Sequence, residues 1–143
     1  MSLSVALTDD LASCHAIRRA VFIDEQRVPE AIELDDQDTA ALHLLAVQDG
    51  VPVGTARLLL KAPVGKIGRV AVLAPHRGTG LGQALMRAAL EVLAQQPGIT
   101  TARLGAQTHA VGFYQRLGFH AVGDEYSEAG IPHRDMECPI FSE

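Results

Sequence analysis

The chain has 143 residues, 48% of them hydrophobic and 20% charged, with a formal net charge of −5. That length predicts one domain spanning 1–143 with a buried core, and the acidic balance argues against nucleic acid as a partner. No apolar run reaches the length of a membrane span, and no charged stretch followed by a long apolar run marks a signal peptide. The expected setting is therefore cytoplasmic, with no membrane partner. Two cysteines, Cys14 and Cys138, make neither a disulfide framework nor a metal cluster, so no metal is expected. Both lie among apolar residues and read as core thiols.

In chain order, Ser4 to Leu7 reads as a short strand. Asp9 or Asp10 caps a helix in which Leu11, Cys14, Ile17 and Val21 recur at helical spacing. Residues 26–41 read as irregular, with Pro29 breaking order; Asp24 to Asp38 holds seven acidic residues against one arginine, which reads first as a solvated loop. A rim attracting a cationic amine is the sharper alternative. His43 to Val47 is a strand, Asp49-Gly50 a hairpin turn, and Val53 to Leu60 the returning strand. Lys61 to Gly65 turns the chain into the strand Ile67 to Leu73. A helix is predicted from Gly78 to Gln96, with an apolar stripe of Leu81, Leu85, Ala88, Ala89, Val92 and Leu93, ended by Pro97-Gly98. Thr101 to Ala106 is a strand, and Thr108 to Leu117 a short helix stopped by Gly118. Phe119 to Val122 starts a strand, and Asp135 to Ile140 is the last. This order predicts an α/β fold with a mixed sheet, antiparallel at the N-terminal side and parallel in the middle, with flanking helices.

The most informative stretch is Arg69 to Gly82: an apolar strand, a turn, then Arg77-Gly78-Thr79-Gly80-Leu81-Gly82 opening a helix. Glycines expose backbone N–H groups, the first N–H groups of a helix have no internal partner, and the helix dipole adds positive charge. Together they make a phosphate site, with Arg77 as a planar cation at its entrance. Two known phosphate loops do not fit. The only Gly-Lys pair, Gly65-Lys66, is followed by Ile67 and has Leu60 where a P-loop needs its first glycine. The glycines at 78, 80 and 82 leave Gln83 where the dinucleotide fingerprint needs its last one.

Arg-Gly-Thr-Gly-Leu-Gly instead resembles the acyl-CoA pyrophosphate loop of the GNAT N-acetyltransferases. Phe113-Tyr114-Gln115-Arg116-Leu117-Gly118-Phe119 is similar to the family's F-Y-x-x-x-G-F segment. Arg18 to Phe22, Glu25-Gln26, and the tail Glu128 to His133 resemble its ElaA-like branch. His109 departs from the family, where many members carry asparagine.

The resemblance implies a sheet whose two central parallel strands splay apart. The pantetheine arm of acetyl-CoA would pair along Val70, Ala71 and Val72 like an added strand, with backbone N–H groups of residues 77–82 taking the pyrophosphate and His109 near the arm. With a net charge of −5, local geometry rather than a basic surface must hold those phosphates. The implied reaction is direct attack of a bound amine on the thioester, without a covalent enzyme intermediate. Tyr114 is the candidate acid toward the departing thiolate, and Glu25 and His133 are candidate bases.

His43 is a candidate to face the cleft, while His15, His76 and His120 read as surface or edge residues. Arg69, a lone cation in an apolar strand, needs a partner, and a structural carboxylate is the favoured one. A small-molecule primary amine is the leading acceptor. A protein or peptide amine, a non-catalytic acyl-CoA sensor and a homodimer stay open; an acyl-homoserine lactone synthase lacks this glycine pattern.

Overall fold

The computed structural model describes residues 2–140; Met1 and residues 141–143 lie outside the described residues. Seven apolar-rich segments pair into one sheet in the order β1-β2-β3-β4-β5-β7-β6. They are β1 (Leu3–Thr8), β2 (Leu42–Gln48), β3 (Val51–Lys61), β4 (Val64–Val72), β5 (Thr101–Gln107), β6 (His120–Glu128) and β7 (Ile131–Pro139). Neighbours run antiparallel except β4 and β5, which are parallel. The fold is thus the mixed α/β sheet expected, with a parallel pair at its centre.

Side chains alternate across a strand, so adjacent residues feed opposite faces. Leu44 joins Leu58, Ile67 and Met136 under α3 (Leu81–Ala94), whose Leu85, Met86, Ala89 and Leu93 are buried. Its neighbour Leu45 joins Cys14, Ile17, Val21 and Ala71 under α1 (Leu11–Arg18). Asp10 caps α1, its carboxylate accepting from the Ser13 N–H at 3.1 Å. α1 continues into a π-helical segment, Arg19–Glu25, a rare geometry often found at functional sites. Its end carries Phe22, Glu25 and Gln26 toward the middle of the sheet.

Three sequence expectations shift. α3 begins at Leu81, not Gly78, because Gly78 and Gly80 have φ of 74° and 86°, which a right-handed helix excludes. Residues 26–41 contain helical turns, α2 (Glu30–Glu33) and a 3-10 turn at Asp38–Ala40. The strand beginning at Phe119 and the one ending at Ile140 are the ends of one long hairpin. β6 and β7 meet at Ala129-Gly130, both at positive φ, the geometry of a tight hairpin turn.

The acidic segment is not a solvated loop. Glu33 is 2% and Asp38 8% exposed. Arg18, itself buried, donates from Nε to Glu33 at 2.6 Å and from Nη1 to Asp38 at 2.9 Å. Arg57 Nη1 reaches Asp35 and Asp38 at 2.7 and 3.1 Å, and Arg69 Nη2 reaches Asp35 at 3.2 Å. Arg69 is thus paired structurally. His15, read as a surface residue, lies 2.9 Å from Asp38. His43 does not line the cleft; it is buried and donates from Nε2 to the Asp38 carbonyl at 2.8 Å. Burial alone would raise the Asp38 carboxyl, but hydrogen bonds from Arg18, His15 and Arg57 outweigh it and hold the group well below the carboxylate range. Asp35 is lowered too, its burial outweighed by Arg57 and the Gln37 N–H.

Candidate active site

The pairing of β4 with β5 covers only Val64–Thr101, Gly65–Ala102 and Lys66–Arg103. Beyond it the two strands separate, and a cleft of about 640 Å³ opens between them. β4 bends there through a bulge. Thr55 pairs with Ala71 and Arg57 with Gly68, so Arg69 and Val70 together oppose Ala56, with Arg69 at φ 50°. Bulges re-aim side chains and strengthen local twist, and they recur beside active sites.

Of the residues singled out from sequence, Val70, Ala71, Val72, Arg77, His109, Tyr114 and His133 line this cleft. Tyr114, on α4 (Val111–Arg116), packs edge-on against Phe113 and Phe119 at ring separations of 5.1 and 6.2 Å. Burial pushes its phenol above the ordinary value, so it keeps its proton at neutral pH.

His133 is 7% exposed. Its Nδ1 lies 2.7 Å from the Ile131 carbonyl, which can only accept, so Nδ1 donates and Nε2 is the nitrogen left for other partners. Nε2 lies 3.5 Å from Glu128 Oε2. The ring stacks on Tyr126, its cross-strand partner, at 5.8 Å. Tyr126 in turn lies over Gly105 and donates to Asp135 at 2.7 Å; a Cβ at Gly105 would stand 2.5 Å from the Tyr126 hydroxyl.

Glu25 is not beside His133. It pairs with Arg77 at 2.8 Å on the cleft rim, and Arg77 Nε also donates to the Val72 carbonyl at 2.9 Å. One arginine thereby ties the end of β4 to the end of the π-helical segment. Next to it, Gln26 accepts from Gln107 at 3.0 Å, and Gln107 meets His109 at 2.8 Å.

The glycine loop stands at the same end. Gly78, Thr79 and Gly80 are exposed, and Gly80 is the left-handed N-cap of α3 with no side chain capping the helix. The first helical hydrogen bond runs from the Ala84 N–H to the Gly80 carbonyl, which leaves the N–H groups of Leu81, Gly82 and Gln83 outside the helical ladder. Leu81 contributes backbone only, since its side chain is in the core. The Arg77 N–H is engaged, donating to Ala74 at 3.2 Å, so the row of free donors starts after it. An unpaired strand edge, an uncapped helix start and a loop without Cβ atoms at its two left-handed positions suit a pyrophosphate with an extended arm.

Sequence reasoning missed Tyr126, Glu128 as a partner of His133, and Arg57. The signal for Arg57 is the one that singles out Arg69, a lone cation among apolar strand residues. Tyr126 and Glu128 alternate with Ile131 and His133 across Ala129-Gly130, a hairpin pattern.

A family model described as an acetyltransferase (GNAT) domain matches residues 8–140. Protein ElaA of Escherichia coli (strain K12) is 39% identical over 130 residues, 87% of this chain and 84% of that protein. YyaT of Bacillus subtilis (strain 168) is 41% identical over 127 residues, 87% of this chain and 85% of that one. The crystal structure of an acyl-CoA N-acyltransferase from Pseudomonas aeruginosa superposes with a TM-score of 0.86 at 32% identity, covering 96% of this chain and 99% of that one. The crystal structure of E. coli ElaA gives 0.83 at 31%, covering 96% and 98%. The chain belongs to the GNAT acetyltransferase family.

Proposed function

We propose that the protein transfers the acetyl group of acetyl-CoA, a substrate consumed in each turnover, to a primary amine of a small molecule. The observation that carries this is the cleft between β4 and β5, which brings Tyr114 and His133 to one cavity beside the uncapped start of α3. The free donors of the loop and of residues 81–83 receive the pyrophosphate, and the open edge at Val70–Val72 receives the pantetheine arm. The amine nitrogen attacks the thioester carbonyl; a backbone N–H near Val72 stabilises the oxyanion. Collapse breaks the carbon–sulfur bond, and the thiolate takes the Tyr114 proton. His133 Nε2 takes the proton of the attacking nitrogen, and Glu128 stabilises the imidazolium. Glu25 serves the loop through Arg77 rather than the amine. Holding both substrates in line supplies much of the rate.

Release of free thiol from acetyl-CoA across a panel of amines separates an enzyme from a domain that only binds acyl-CoA. Tyr114→Phe is expected to lower kcat by about 10²–10⁴-fold with acetyl-CoA affinity unchanged. A variant within about threefold of wild type rejects the acid role.

A further inference from the structure

The two walls of the cleft differ in chemistry. On the hairpin side stand His133 and Glu128; on the β3–β4 side stand Arg57, Lys66 and Arg69, with Glu33 and Asp35 of the acidic segment beside them. Arg57 is 5% exposed, yet both of its ion pairs leave from Nη1, and its Nε has no hydrogen-bond partner among the described residues. Arg69 repeats the pattern. Its hydrogen bonds leave from Nη2, while Nε lies 3.5 Å from Glu33 without a hydrogen bond. Both Nε atoms are closed to solvent, so an acceptor meets them only once the guanidinium groups turn into the cleft; buried donors normally find acceptors, and two adjacent guanidinium groups whose Nε–H groups lack one leave a demand for acceptor oxygens.

Asp35 illustrates what meets it. Oδ1 accepts from Arg57 and Oδ2 from Arg69, so one carboxylate of the cleft lining bridges the pair. Tethering the acidic segment to the sheet accounts for the bonded ends of both arginines; it does not account for the idle ones. Within the cluster Arg18, Arg57 and Arg69 balance Glu33, Asp35 and Asp38, and Lys66 on the same wall stands outside that balance. Arg69 is also pushed below its ordinary value, by burial first and by the neighbouring Arg57 next, against the pull of Glu33 and Asp35.

We propose that the cleft selects amines that also carry a carboxylate, with Arg57 and Arg69 receiving the carboxylate and the amine directed to His133. A carboxylate brings two acceptor oxygens that match the planar guanidinium fork, and it adds negative charge between like cations. Glu128 on the opposite wall complements the ammonium end. The assignment rests on the acetyl transfer proposed above.

The test uses matched acceptors: α- to ε-amino acids, their primary amides, and the amines lacking the group, scored by thiol release. The best amino acid should exceed its amide by at least about tenfold in kcat/KM, because a site built for one polar group rejects analogues lacking it. Arg57→Lys should collapse that ratio toward one; should it fail to fold, the wild-type ratio still decides. Equal turnover of acid and amide overturns the selection while leaving acetyl transfer intact. Turnover of no amine sinks the transfer itself. Calorimetry with coenzyme A then decides the subsite: tenfold tighter binding of an N-acetyl amino acid than of its amide supports it, and equal or undetectable binding overturns it.

Discussion

The glycine loop and the acidic segment 30–38 flank the same cleft and are built on opposite principles. The loop offers backbone: exposed glycines, one internal bond from the Thr79 hydroxyl to the His76 carbonyl at 2.6 Å, and an uncapped helix start. The segment works through side chains, with carboxylates held by arginines from α1, β3 and β4. A backbone site depends on where the chain can go, so it tolerates changes of side-chain chemistry and fails when φ is restricted. An ion cluster depends on each partner being present, so it fails when one is removed.

Arg18→Ala attacks the cluster at its most buried member. It leaves Glu33 and Asp38 without their strongest partner, and chemical denaturation is expected to register a loss of about 3–5 kcal/mol. A loss under about 1 kcal/mol would return the segment to the status of a solvated loop. Gly80→Val attacks the other principle. A Cβ there meets nothing within 4 Å, so the damage comes only from φ of 86°, which β-branched residues avoid. Strain of about 1–3 kcal/mol is relieved by moving the loop. Coenzyme A affinity should fall well over tenfold with the fold retained; unchanged affinity in a folded variant takes the loop out of the site.

Acid separates the two regions without mutation. Asp35 and Asp38 have folded values below the unfolded value of about 3.9. Their stabilisation is therefore fully present above that value and is lost as pH falls through the folded ones. Denaturation midpoints followed from pH 6 downward should decline below about pH 4, and the decline should be shallower in Arg18→Ala. An equal slope in both proteins would disconnect Asp38 from Arg18. The smallest effect belongs to Glu25→Ala. The Arg77–Glu25 pair is exposed, so stability should move by no more than about 1 kcal/mol. A larger loss in a thermal melt would make this pair a structural clamp rather than a rim contact.

The same contrast governs what was legible in the sequence. Gly78, Gly80 and the apolar stripe of α3 act within a few residues, and local pattern reveals them. So do Phe113-Tyr114 and the strands that make the mixed sheet. Glu33 and Asp38 meet Arg18 across 15 and 20 residues, and Asp35 meets Arg57 across 22. Composition alone reads such a run as solvated, because the partners that bury it lie elsewhere in the chain. Glu25 shows the same limit: it stood out in the sequence as a candidate base, but its partner Arg77, 52 residues away, was not legible.

The tight turn at Ala129-Gly130 has an evolutionary consequence. Tyr126, Glu128 and His133 belong to residues 126–133 of a single hairpin, paired with one another rather than with the glycine loop. A lineage can exchange the hairpin side of the cleft, where proton transfer is proposed, by rewriting that hairpin while inheriting the glycine-loop side intact. Divergence among paralogues in the amines they accept should therefore concentrate on either side of this turn.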